Sequence, residues 1–196
     1  MNVFGCKNVT FQHVNITAPR ESVNTDGIHI GRSTAINITD ANIGTGDDTV
    51  SIGHGSKEIT VTKVTRGPGH GISIGSLGKY LNEEPVVGIR VNNCTLRNTQ
   101  NGLRIKTWPA SPQLVLPRLY TMRTLSWLML GSSATPLAVK IVCSSCIPCE
   151  NVELADIDLT YNGKKGPLTS QCSNVKPTIT RVTKALACAT SAGLKK

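Results

Sequence analysis

The sequence predicts an all-β fold, a single-stranded β-solenoid wound as a right-handed parallel β-helix. Three observations point there. Apolar triplets recur at a regular interval, a second alternating strand lies between them, and the composition favours short strands. Valine, isoleucine, threonine and glycine recur through the 196 residues, while aromatic residues make up only 4%. β-branched side chains fit pleated, half-buried surfaces better than helices.

The triplets sit in the segments DGIHI (26–30), DTVSI (48–52), HGISI (70–74) and NGLRI (101–105). Their first apolar members, Ile28, Val50, Ile72 and Leu103, stand 22, 22 and 31 residues apart. The longer interval contains an insertion, SLGKYLNEEPVV (76–87), rich in turn-forming and charged residues. Between triplets run VTFQHVNI (9–16), INIT (36–39), ITVTKV (59–64) and IRVNNCTL (89–96). One such turn cannot bury its own apolar face, but stacked turns bury all of them in one core. A β-sandwich has strands at shorter spacing and leaves unexplained the polar residue that precedes each triplet.

Stacked turns lie roughly 4.8 Å apart, so equivalent residues form columns. Asp26, Asp48 and His70 are expected in one column, with Asp47 beside it. A second column holds His29, Ser51, Ser73 and Arg104, and alternation puts Lys106 on the same face as Arg104. Three carboxylates in a small volume should push their titrations apart and raise at least one pKa. Such a separation lets one acid donate a proton while the others stay ionised.

The formal net charge of +9 calls for an anionic partner. Nucleic acid is disfavoured, because stacking aromatics are few and the basic residues form no binding motif. An acidic polysaccharide satisfies the charge equally well. No apolar run approaches the roughly 18 residues of a membrane span, so the chain is expected to be soluble, with no membrane partner.

Four segments, NTDGIHI (24–30), GTGDDTVSIG (44–53), GPGHGISIGSLG (67–78) and NGLRIKTWP (101–109), resemble the signatures of polygalacturonases. These are the family 28 glycoside hydrolases that cleave pectin. The resemblance resumes at IVCSSCIPCENVELADIDLTYNGKKGP (141–167) and QCSNVKPTIT (171–180), similar to plant members. It implies inverting hydrolysis of α-1,4-linked galacturonan, with polygalacturonate or pectin as partner and a monomeric chain. At the matched positions Asp47 would protonate the leaving oxygen, and Asp26 and Asp48 would hold and activate water. His70 would tune the acid or bind a hydroxyl, and Arg104 and Lys106 would bind galacturonate carboxylates. The mechanism requires no metal, no metal-ligand cluster is evident in the column, and no cofactor is expected. IGHGSKEITVTKV and NCTLRNTQNGLRIKTWPAS look most like the pollen-type exo-acting enzymes, with endo-action or an inactive galacturonan-binding remnant as alternatives.

The chain departs from the family in three places. Thr49 and Arg66 stand where members commonly carry cysteines. Residues 112–138 match nothing in the family and lack the strand–turn rhythm, and the chain begins where members already have several turns. One incomplete β-helix domain over 1–196 is therefore expected, with an aberrant stretch at 112–138 and a basic tail at 181–196. The CSSCIPC segment (143–149) could suggest zinc, but the resemblance favours disulfides Cys143–Cys149 and Cys172–Cys188. Sequons at Asn8, Asn15, Asn37 and Asn93 and the seven cysteines point to secretion, and the resemblance implies the plant cell wall.

Overall fold

The computed structural model describes residues 1–108, 123–145 and 149–188. These wind into a right-handed parallel β-helix, and every paired strand is parallel to its neighbour one turn away. One sheet of seven strands runs in the order Asn2–Phe4, Ile28–Gly31, Asp48–Ile52, Gly71–Leu77, Leu103–Thr107, Leu137–Val142, Thr169–Ser173. The opposing sheet climbs from Lys7–Gln12 through Thr34–Thr39, Lys57–Thr62, Val87–Thr99, Arg123–Ser133 and Val152–Thr160 to Thr178–Thr180. A short 3-10 segment, Lys184–Leu186, is the only helix among the described residues.

The triplets set the vertical register. Ile28 pairs with Val50, Val50 with Ile72, and Ile72 with Leu103, while Ile30, Ile52, Ile74 and Ile105 form the next ladder. All eight side chains are fully buried. Ile36, Ile59 and Ile89 approach from the other sheet, also fully buried. Each such side chain contributes about 1.5–3 kcal/mol of burial. The residues between them point outward, and on the seven-stranded sheet these carry the chemistry.

The corners follow from single left-handed residues. His13, Asp40, Lys63 and Asn93 have φ of 52°, 51°, 53° and 51°. The ladder survives the bend, because His13 N–H donates to Thr39, Asp40 N–H to Thr62 and Lys63 N–H to Asn92. A non-glycine residue in this region costs roughly 1–2 kcal/mol, which the stacked backbone bonds on both sides offset.

One expectation meets a different picture. The stretch without visible rhythm carries the strand Arg123–Ser133 and the start of Leu137–Val142. Leu125 and Trp127 align with Ile89 and Val91 below and with Val152 and Leu154 above. Alternation is hidden there because both strand pairs shift register, between Val91 and Cys94 and between Trp127 and Met129. Residues 112–122 lie outside the described residues.

Cys143 is joined to Cys149 and Cys172 to Cys188, with Cα atoms 5.9 and 5.4 Å apart. The first bond takes two of the three CSSCIPC thiols away from any metal. Cys146 and the tail beyond residue 188 lie outside the described residues. Among the described residues, no helix is long and apolar enough to cross a membrane.

Candidate active site

The outward face of the seven-stranded sheet gathers every acid and cation singled out above. The register runs His29, Ser51, Ser73, Arg104 on successive turns. Asp47 and Asp48 enter the second of these strands, and Lys106 follows Arg104 two residues later on the same side.

His70 does not stack on Asp48 as the repeat suggested. The pairing slips by one residue between Gly71 and Ile72, so that Gly71 lies over Asp48. His70 instead lies over Asp47: its amide donates to the Asp47 carbonyl at 3.2 Å and its Nδ1 is 2.8 Å from Asp47 Oδ1. Glycine makes the slip possible. Gly71 has φ of +102°, and a methyl group there would lie 2.1 Å from the Asn101 carbonyl oxygen.

Asp48 is the most enclosed of the three acids, its side chain 7% exposed. Arg104 Nη2 donates to both its oxygens, at 2.9 and 3.2 Å, and Lys106 Nζ is 3.9 Å away. In the free protein these cations thus serve Asp48. Arg104 Nε is buried and has no hydrogen-bond partner among the described residues. Burial lowers the Lys106 pKa, the neighbouring Asp48 pulls it back up, and Arg104 adds to the lowering.

Burial alone would raise the Asp47 pKa. The His70 hydrogen bond, the Asp48 amide at 2.9 Å and the charges of His70 and Arg104 outweigh it. The Asp47 carboxyl is therefore held below its ordinary range. Crowding of carboxylates suggested an upward shift in at least one of them; for Asp47 the His70 hydrogen bond, the Asp48 amide and the nearby positive charges reverse it.

Asp26 belongs to a separate relay that the sequence columns only half revealed. Ser51 Oγ donates a hydrogen bond to Asp26 Oδ2, and His29 Nδ1 lies 2.7 Å from the same Ser51 oxygen. A hydroxyl has one proton, so Ser51 giving it to Asp26 leaves its oxygen to accept from His29. The column of His29 and Ser51 was readable; its reach to Asp26, three residues before His29, was not. An open depression lined by Asn24, Thr25, Asp26 and His29 flanks this relay.

Ligand atoms of Asp47, Asp48 and His70 lie within 4.8 Å of one another, a spacing that could hold a cation. This corrects the impression that the column contains no metal-ligand cluster. The same atoms are already engaged by His70, Arg104 and Lys106, so an added cation would compete with fixed positive charge. Thr49, where a family cysteine was expected, is fully buried, and its hydroxyl has no partner among the described residues.

Residues 1–116 match the family described as Glycosyl hydrolases family 28. The chain is 50% identical over 213 aligned residues to an exopolygalacturonase of Oenothera organensis, covering 91% of this chain and 59% of that protein. An exopolygalacturonase of Arabidopsis thaliana is 46% identical over 211 residues, covering 90% and 48%. The chain thus spans about half the length of the curated relatives it matches. Among solved structures, an endo-xylogalacturonan hydrolase of Aspergillus tubingensis superposes with a TM-score of 0.72 at 24% identity, covering 89% of this chain and 51% of that one. A polygalacturonase of Erwinia carotovora superposes at 0.64 and 22% identity, covering 94% and 53%. At such identities the superpositions speak for the β-helix alone.

Proposed function

The chain belongs to glycosyl hydrolase family 28, and from that premise we propose that it hydrolyses α-1,4-galacturonosyl linkages in polygalacturonate by an inverting acid–base mechanism. The observation that carries this reading is the interleaving of Asp26, Asp47 and Asp48 with His70, Arg104 and Lys106 on one outward face. A polyanionic sugar needs fixed cations at its carboxylates, and inversion needs opposed carboxyl groups with water between them.

In this reading Asp47 is the proton donor. A donor whose pKa is held down in the free protein must be raised when substrate arrives, and the substrate itself can do this. Its carboxylates would share Arg104 and Lys106 with Asp48 and add negative charge beside Asp47, offsetting part of what keeps that group ionised. Asp48, clamped by two cations, and Asp26, fixed through Ser51, would stay acceptors and orient the attacking water. His70 would keep Asp47 aimed, with its own Nδ1–H as the partner of one oxygen.

Attack at chain ends is the finer proposal, supported by relatives named exopolygalacturonase. Action in the plant cell wall after secretion is supported by the two disulfides and by the exposure of the sequon residues Asn8, Asn15, Asn37 and Asn93. The test is release of reducing ends from polygalacturonate by the purified chain. Steady release of monomer alone is expected, and Asp47→Asn should abolish it. Binding of polygalacturonate without any product would replace hydrolysis by a binding role.

A further inference from the structure

Beyond the acid cluster, the same outward row continues to an aromatic and cationic group that the reaction does not use. Alternation carries Arg104, Lys106 and Trp108 along one side of the strand Leu103–Thr107 and its next residue. Trp108 stays laddered to the sheet, its N–H donating to the Leu77 carbonyl at 2.8 Å. Against it stands the inserted loop. Lys79 Nζ lies 5.1 Å from the Tyr80 ring centroid and 5.5 Å from that of Trp108.

The loop is built to hold these groups. Glu83 is 6% exposed, and its carboxylate accepts from the amides of Gly78 at 2.7 Å, Lys79 at 3.1 Å and Tyr80 at 3.0 Å. Three backbone donors on one enclosed carboxylate stiffen the turn that presents Lys79 and Tyr80. The presented side chains nevertheless face solvent, with Tyr80 61% and Trp108 45% exposed. In a chain with so few aromatics, two such rings sharing one ammonium beside a row of cations is a poor use of core-forming residues.

We propose that Lys79, Tyr80 and Trp108 form a further uronate-binding subsite, continuous with Lys106, for a sugar acid removed from the bond being cleaved. The inference rests on the galacturonan reading above. The apolar C–H face of a pyranose packs on an aromatic ring, while Lys79 pairs with the ring's carboxylate. The occupant is thus an anionic sugar of the same polymer, which the positive charge along Arg104, Lys106 and Lys79 complements.

Binding by calorimetry tests this without turnover, using Asp47→Asn as the parent and oligogalacturonides of increasing length. The dimer should bind the parent, Trp108→Ala and Lys79→Gln alike. Longer oligomers should bind the parent more tightly, and each substitution should weaken them by about tenfold. Equal binding of long oligomers by all three proteins, or equal weakening of dimer and long oligomers, overturns the subsite while leaving the galacturonan reading intact. No binding at any length sinks both. Lys79→Gln alters an exposed side chain, so its result stands if Trp108→Ala proves unstable.

Discussion

His70 is tied to Asp47 twice, side chain to side chain at 2.8 Å and backbone to backbone at 3.2 Å. The carboxylate consequently titrates below its ordinary value of 3.8. A depressed acid stabilises the fold above its unfolded-state pKa, and the contribution is lost as pH falls through the folded-state value. The stability difference between the unsubstituted protein and Asp47→Asn should therefore be constant near neutrality and shrink below about pH 4. Denaturant titrations at a series of acid pH values measure it. A difference that widens in acid would reverse the sign.

Removing the imidazole should move catalysis in a defined direction. A proton donor must be protonated, so the rate falls as pH rises through its pKa in the complex. His70→Asn takes away a hydrogen bond and a charge that lower the Asp47 pKa. The alkaline limb of the kcat profile should shift to higher pH, while overall kcat falls because Asp47 loses its fixed orientation.

The Ser51 relay predicts a split between steps. Ser51→Ala leaves Asp26 and His29 without their shared hydroxyl. In Ser51→Ala kcat should fall by about tenfold or more with KM little changed, since water orientation rather than substrate binding is lost. Ser51→Thr, which keeps the hydroxyl, should recover part of the loss. An equal deficit in both variants would make the effect one of packing.

Arg104 is expected to matter for stability as well as for substrate. Arg104→Met leaves Asp48 in an enclosed position with only Lys106, 3.9 Å away, as a charge partner. Breaking such a pair costs about 3–5 kcal/mol, and the remaining lysine should hold the loss near the lower end. Adding Asp48→Asn should restore much of the stability but none of the activity. Chemical denaturation of the two variants reads the first effect and reducing-end release the second.

Gly71→Ala is the sharpest test of how the fold places the site. The substitution forces a side chain into a left-handed φ and against the Asn101 carbonyl. Relief requires the local strand to move, and His70 moves with it. Activity should drop to about that of His70→Asn, even if the protein still unfolds cooperatively.

How much of this was legible in the chain depends on the residue. The spacing of Ile28, Val50, Ile72 and Leu103 carried the vertical register correctly, because an apolar ladder has one way to bury itself. The same regularity misled at His70: a one-residue slip at Gly71 follows from a backbone conformation that glycine permits but does not announce. Strand Arg123–Ser133 escaped notice because register shifts against both of its neighbours break strict alternation. The direction of the Asp47 shift was hidden for a different reason. Charge counts along a column show which acids are near one another, but not that His70 hydrogen-bonds Asp47, with the Asp48 amide and the charge of Arg104 adding to the lowering.

In the proposed reaction Asp47 gives a proton to the leaving sugar while water, held by Asp26 and Asp48, attacks from the opposite side. Time-resolved proton NMR of the first product formed from oligogalacturonide tests it most directly. Inversion yields a saturated galacturonate whose new reducing end appears first as the β-anomer and only later equilibrates. A first product in the α-form, or an unsaturated uronate from elimination, would contradict it.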